Sequence, residues 1–146
     1  MNPSMNSGDI VEALNAQRPA VVSTLKGQVL SYDPAQRSLR MAFHIGLEFC
    51  HSVDTVQGGL VTAMLDAAMA HVMMAAEQGQ ATVASIDINV SFLRRARAGR
   101  FEALGYVVKP GRSVAFLRAE LFDAAGELVA AATSSGHLTR HAAARG

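Results

Sequence analysis

The sequence predicts an α+β fold in which one antiparallel sheet is wrapped around a single long helix, and three observations carry that reading. Residues 58–76 form an apolar, helix-length stretch whose one acid is Asp66. Four runs of alternating, β-branched residues follow it, at about 82–95, 99–109, 112–123 and 127–139, separated by turn signals. Links as short as these place consecutive strands side by side and antiparallel. With 146 residues, half of them hydrophobic, the chain fills one core and not comfortably two.

Taken in order, residues 9–17 carry apolar positions at helical spacing behind a cap expected at Ser7 or Asp9, and Pro19 stops them. Segments 24–32 and 38–45 read as a hairpin turned at Asp33-Pro34-Ala35-Gln36, where proline suits the second turn position. The central helix, expected over about 58–77, is apolar all round: Leu60, Ala63, Met64, Ala67, His71 and Met74 make one stripe, and Thr62, Asp66, Met69, Ala70 and Met73 the other. Such a helix needs the sheet on one side and a further cover, expected to be a second subunit, on the other. The last three links, Ala98-Gly99-Arg100, Lys109-Pro110-Gly111-Arg112 and Asp123-Ala124-Ala125-Gly126, each hold the glycine that tight turns favour. One domain is expected over 20–139, after an N-terminal segment 1–19 and before a tail 140–146.

A mean hydropathy of +0.20 is high for a monomer, so a homodimer or homotetramer is expected. The formal net charge of +1 and 5% aromatic content do not fit a nucleic-acid binder. Cys50 is the single cysteine, which excludes an intramolecular disulfide and reads as a packing residue in a reducing compartment. Met1–Gly8 carries no signal-peptide pattern, and the apolar stretch around Asp66 reads as a buried helix rather than a membrane span, so a cytoplasmic protein without membrane partners is expected.

Asp66 needs an explanation, because an ionised carboxylate in apolar surroundings is normally paired, protonated or employed. Gln57-Gly58-Gly59 stands directly before its helix, where free backbone N–H groups and the positive helix end stabilise an oxyanion. Paired glycines also serve simply for a turn and close packing. Asp66 follows two helical turns later on the face of Thr62, which places both features along one groove.

Val56-Gln57-Gly58-Gly59 with Met64-Leu65-Asp66, then Ser85–Ala96 and Gly111-Arg112-Ser113, resemble the hotdog-fold acyl-CoA thioesterases of the phenylacetate type over roughly residues 20–139. The resemblance implies a curved antiparallel sheet around the long helix, pairing into dimers and often tetramers, and two active sites at each dimer interface. It implies Asp66 as general base or nucleophile on the thioester and the Gly58 N–H as donor to its carbonyl oxygen. Gln57 stands where the family often has histidine, and can donate a hydrogen bond without shuttling a proton. His51 stands at a polar position six residues earlier and adds a titratable group. Ser85 matches a position from which the partner subunit offers a hydroxyl to the nucleophilic water. Gly59 and Thr62 join the substrate-binding residues. Of the cations Arg94, Arg95, Arg97, Arg100, Lys109 and Arg112, those at 95 and 112 are the ones expected to hold the phosphates of coenzyme A.

No cofactor is expected beyond the coenzyme A of the substrate, and no residue spacing suggests a metal or a dinucleotide. Met64, Met69, Met73 and Met74 read as core more readily than as an acyl pocket. Two other readings are a non-catalytic acyl-CoA-binding protein and a hotdog hydratase or dehydratase. The second would need Asp66 and His71 to converge, yet five helical residues turn them about 140° apart.

Overall fold

The computed structural model describes residues 4–141 and holds, in order, α1 (Ser7–Ala16), α2 (Ala20–Thr24), β1 (Gln28–Asp33), β2 (Ser38–Ile45), β3 (Cys50–His51), β4 (Thr55–Val56), α3 (Gly58–Ala76), β5 (Ala81–Phe92), β6 (Gly99–Lys109), β7 (Val114–Phe122) and β8 (Leu128–Arg140). Six strands form one antiparallel sheet in the order β1-β2-β6-β7-β8-β5, with α3 packed across it. This is the expected α+β architecture. Period-two burial builds the sheet's inner face: Ala115, Leu117, Ala119 and Leu121 on β7 are buried while the intervening Phe116 and Arg118 are exposed.

Against that face α3 presents Val61, Met64, Leu65, Ala68, Met69, Val72 and Met73, all buried. Val61, Leu65 and Val72 belonged to neither expected stripe, so the true apolar seam runs between the two. The opposite face, with Thr62, Ala63, Asp66, Ala67, Ala70 and Met74, is only half-buried. Gly105 of β6 lets helix and sheet approach closely, since a Cβ there would stand 2.5 Å from the Ala68 carbonyl oxygen. Met64, Met69 and Met73 are core residues.

Several boundaries differ from expectation for local reasons. The helix cap is Asn6, whose side chain accepts from Asp9 N–H at 2.8 Å, rather than Ser7 or Asp9. Residue 24, the anticipated start of the first strand, instead ends α2, which begins after Pro19 and buries Val22, and β1 starts only at Gln28. The β3–β4 hairpin, two residue pairs long, carried no periodic signal. Arg140 closes β8 rather than opening a tail, held by Glu77 at 3.0 Å, and His141 N–H donates to Gln80 O at 2.8 Å; residues 142–146 of that tail lie outside the described residues.

One pairing expectation fails. The strands β5 and β6 are not neighbours: β5 pairs with β8 from Ala81↔Arg140 to Phe92↔Ala130. The link 93–98 spans three strand spacings, about 14 Å, which six extended residues cover easily. It runs beside the small hairpin, with Val56 N–H donating to Ala96 O at 2.8 Å and Ala98 N–H to Asp54 O at 2.9 Å.

The two sheet edges are unlike. At β1, the Asn15 amide of α1 donates to Val29 O and accepts from Val29 N–H, both at 2.9 Å. At β5, twelve residues show an edge unpaired among the described residues.

Candidate active site

Gln57 caps α3 with its backbone alone: its carbonyl accepts from Leu60 and Val61 N–H, and its exposed side chain makes no capping bond. The next two N–H groups, of Gly58 and Gly59, have no acceptor among the described residues, as the first turn of a helix dictates. A Cβ on Gly58 would touch the Phe92 ring at 3.4 Å, and one on Gly59 would meet nothing within 4 Å. No neighbour among the described residues therefore demands glycine at 59. Thr62 Oγ1 donates back to Gly58 O at 2.9 Å, which leaves its oxygen as an acceptor.

In front of Gly58 lies a recess of about 210 Å³ with a floor of Val56, Val61, Ala96 and Val129. Its rim carries His51, Phe92, Arg94 and Arg95. His51 comes from the small hairpin and its Nδ1 lies 3.1 Å from Ser52 Oγ. The structure thus brings Gly58, His51 and Arg95 together, with Gln57 at the helix start beside them.

Asp66 stands elsewhere. Eight residues along α3 separate it from Gly58, about 12 Å at the helical rise, so a carbonyl bonded to Gly58 N–H is beyond its direct reach in the same chain. Nor is it a buried acid in this chain: it is half-exposed on the outer face of α3. Ser85 Oγ of its own chain donates to Asp66 Oδ1 at 2.8 Å, whereas the resemblance placed that hydroxyl on the partner subunit's side. Asp87, two residues on, is a sheet residue whose carboxylate accepts Ser135 N–H at 2.9 Å across an irregularity in β5.

His71 faces the interior, where burial pushes its imidazole below the ordinary histidine range against the opposing effect of its 2.7 Å contact to Ala67 O. It does not meet Asp66. Burial and the nearby Asp54 and Glu48 carboxylates push the Cys50 thiol up, away from nucleophilic character.

The expected cation cluster divides. Arg94, Arg95, Arg97 and Arg100 line a groove of about 540 Å³ beside the recess. Lys109 and Arg112 sit at the far end of β6, where the Arg112 carbonyl accepts from Arg140, which is tied in turn to Glu77 just past the C-terminus of α3. A helix of nineteen residues lies between the two groups, so Arg112 reaches a site at Gly58 only from another copy of the chain. No group of three His, Cys, Asp or Glu side chains able to hold a metal occurs among the described residues.

Comparison with known proteins places this architecture. The profile of the Thioesterase superfamily matches residues 54–130, a span that contains both Gly58 and Asp66. A phenylacetic acid degradation-related protein from Ralstonia eutropha JMP134 is similar over 88% of this chain and 98% of its own, with 32% identity and a TM-score of 0.79. The PaaI protein of the E. coli phenylacetic acid degradation operon shares the fold at 16% identity, over 90% of this chain and 91% of its own, with a TM-score of 0.77. A thioesterase family protein from Silicibacter pomeroyi does so at 23% identity, over 91% and 98%, also with a TM-score of 0.77. No curated protein matches the sequence.

Proposed function

This chain belongs to the thioesterase superfamily, as a hotdog-fold, PaaI-like member, and from that premise we propose that it hydrolyses acyl-CoA thioesters at a site built from two copies of the chain. The separation of about 12 Å between Gly58 and Asp66 carries the composite part of this reading. One subunit supplies the Gly58 N–H, and another supplies Asp66 with Ser85. The half-buried outer face of α3 and the open edge of β5, which lie on the Asp66 side, are the surfaces a second copy would cover. A homodimer is the minimum assembly on this account, and a homotetramer is compatible with it.

The chemistry follows from charge. The thioester carbonyl oxygen accepts from Gly58 N–H at the positive end of α3, which favours the negative charge that develops as the carbonyl carbon becomes tetrahedral. The Asp66 carboxylate either takes a proton from the attacking water or attacks the carbon itself. Ser85 Oγ–H fixes one carboxylate oxygen and leaves the other free to act. Where water attacks, the C–S bond breaks, the free acid and the coenzyme A thiol leave, and the proton collected from water returns to sulfur; where Asp66 attacks, the thiolate leaves first and water then cleaves the acyl–Asp66 anhydride, which releases the free acid, restores the carboxylate and supplies the proton that sulfur takes up. Gln57 donates a hydrogen bond near the carbonyl, His51 offers a titratable group at the rim, and Gly59 and Thr62 line the approach. No metal or redox cofactor enters the scheme.

Mixing two inactive variants tests the composite site. Asp66→Asn lowers turnover at least about a hundredfold, since general-base catalysis supplies 10² to 10⁴, and Gly58→Val removes access to the oxyanion donor. In mixed dimers one of the two sites regains both intact groups, so activity returns to about a quarter of wild type after subunit exchange. No recovery from variants that fold, pair and exchange would rule out a site shared between copies. Full activity of Asp66→Asn alone would remove the acid from the mechanism.

A further inference from the structure

Strand β5 changes faces part-way along its length. In its second half Ile88 and Val90 pack against the core, while Asp87, Asn89 and Ser91 are exposed. Strict alternation would therefore turn Ser85, which shares the parity of the exposed three, away from α3. Instead Ser85 Oγ reaches Asp66 on α3, on the same side as Val83, which packs against the core, and Ala81, which is buried.

The change of face occurs at Ile86. Ser85 pairs with Gly136 and Asp87 with Ser135, which leaves Ile86 as one extra residue without a partner on β8, and it is 59% exposed. An insertion of this kind is a β-bulge, and it moves every side chain on one side of it to the opposite face. Two contacts hold it, one from each face of the sheet. Asp87 Oδ1, on the exposed face, accepts from Ser135 N–H at 2.9 Å. Ser134, buried on the core face, donates Oγ–H to Asp87 O at 2.8 Å. A buried sheet position ordinarily takes an apolar side chain, and the serine here is accounted for by the carbonyl it answers.

We infer that Asp87 and Ser134 are positioning residues of the hydrolytic site, holding the bulge at Ile86 that turns Ser85 onto the Asp66 carboxylate. They act through Ser85 and take no part in the chemistry themselves. The inference rests on the thioesterase reading above and adds to it the backbone device that orients the acid. A productive geometry tolerates errors of about 0.5 Å, whereas one residue of strand advances about 3.3 Å, so a partial shift of the bulge already parts hydroxyl from carboxylate. What the device needs at 87 is an acceptor rather than a charge, and an amide oxygen is an acceptor too.

The test compares the steady-state kinetics of wild type, Ser85→Ala, Asp87→Ala, Asp87→Asn, Ser134→Ala and the double variant Ser85→Ala/Asp87→Ala on one acyl-CoA. Asp87→Ala is expected to lower kcat about fivefold with KM within about twofold, and Asp87→Asn to restore most of that loss. Ser134→Ala is expected to act in the same direction. In the Ser85→Ala background, Asp87→Ala is expected to cost nothing further. Equal losses from Asn and Ala at 87 would assign the effect to charge, and additive losses would assign it to another route; either overturns the inference. Normal kcat in Asp87→Ala and Ser134→Ala beside an impaired Ser85→Ala would also overturn it, and would leave the hydrolytic reading standing.

A crystal structure of Asp87→Ala reads the device without turnover, and Ser134→Ala serves in its place if that variant does not fold. Ser85 Oγ out of hydrogen-bond reach of Asp66 is the expected result, and an undisturbed contact refutes the inference. A wild type that cleaves no acyl-CoA would overturn the hydrolytic reading and with it the role given to both residues, whatever the crystal structure shows of the bulge.

Discussion

Ser85 Oγ donates to Asp66 Oδ1 at 2.8 Å, so the one acid of the central helix is held from the edge strand β5 of its own chain. Nothing in the linear spacing of the two residues announces the contact, which the pairing of β5 with β8 brings about. A hydroxyl in this position orients a carboxylate without neutralising it.

Ser85→Ala is expected to lower kcat by about tenfold with KM little changed, because the carboxylate remains and only its orientation is lost. In an Asp66→Asn background the same substitution is expected to have almost no further effect. Steady-state kinetics on the four variants checks this, and independent, additive losses would separate Ser85 from the acid.

Gly105→Ala is expected to destabilise the fold by about 1–3 kcal/mol, since the new methyl meets a backbone oxygen that cannot rotate away. The obstruction is the Ala68 carbonyl, 2.5 Å from the Cβ position. Denaturant unfolding at unchanged m-value measures the cost, and a neutral substitution would mean that α3 slides on the sheet.

His71 makes stability pH-dependent in a defined window. Its folded pKa lies below the ordinary 6.5 because burial disfavours the imidazolium. As pH falls below about 6.5 the unfolded chain takes up a proton that the folded chain refuses, so stability is full above that value and declines toward the lower folded pKa. His71→Leu is expected to flatten the fall in melting temperature between about pH 7 and pH 5. Identical pH slopes in the two proteins would show that the loss comes from other groups.

Val53 adopts φ +76° with Asp54 N–H donating to Ser52 O, a tight reverse turn that a β-branched residue enters only with strain. The side chain is 92% exposed, so it contributes little packing in return. Val53→Gly is expected to raise stability by about 1 kcal/mol, the relief of strain exceeding the added chain entropy. A lower melting temperature would show that the conformation is not strained.

The strand and helix content was legible because most runs are bounded by glycine, proline or aspartate: 99–109 matches β6, and the expected 58–77 helix differs from α3 by one residue. Which strands meet was not legible where the chain skips neighbours, because the composition of 93–98 fixes its conformation and not its destination. The pairs on β3–β4 and the five residues of α2 are too short for periodicity to register. For the site, the glycines and Asp66 stood out as chemistry in apolar surroundings, yet sequence alone read the acid as buried. Its half-exposure depends on which side of α3 the sheet takes, and that is settled by Val61, Leu65 and Val72, residues with no polar contrast to mark them. The separate fates of Arg95 and Arg112 depend on strand length, since β6 carries them to opposite ends of the molecule.

The two-point amide bond from Asn15 to Val29 has a consequence for growth. A sheet with two open margins can add copies without limit, as fibres do, whereas this one offers its backbone along β5 and has Val29 of β1 already taken by Asn15. A union through β5 therefore uses the fully open margin on both molecules, and any further strand addition would have to start at an edge where Asn15 already holds Val29.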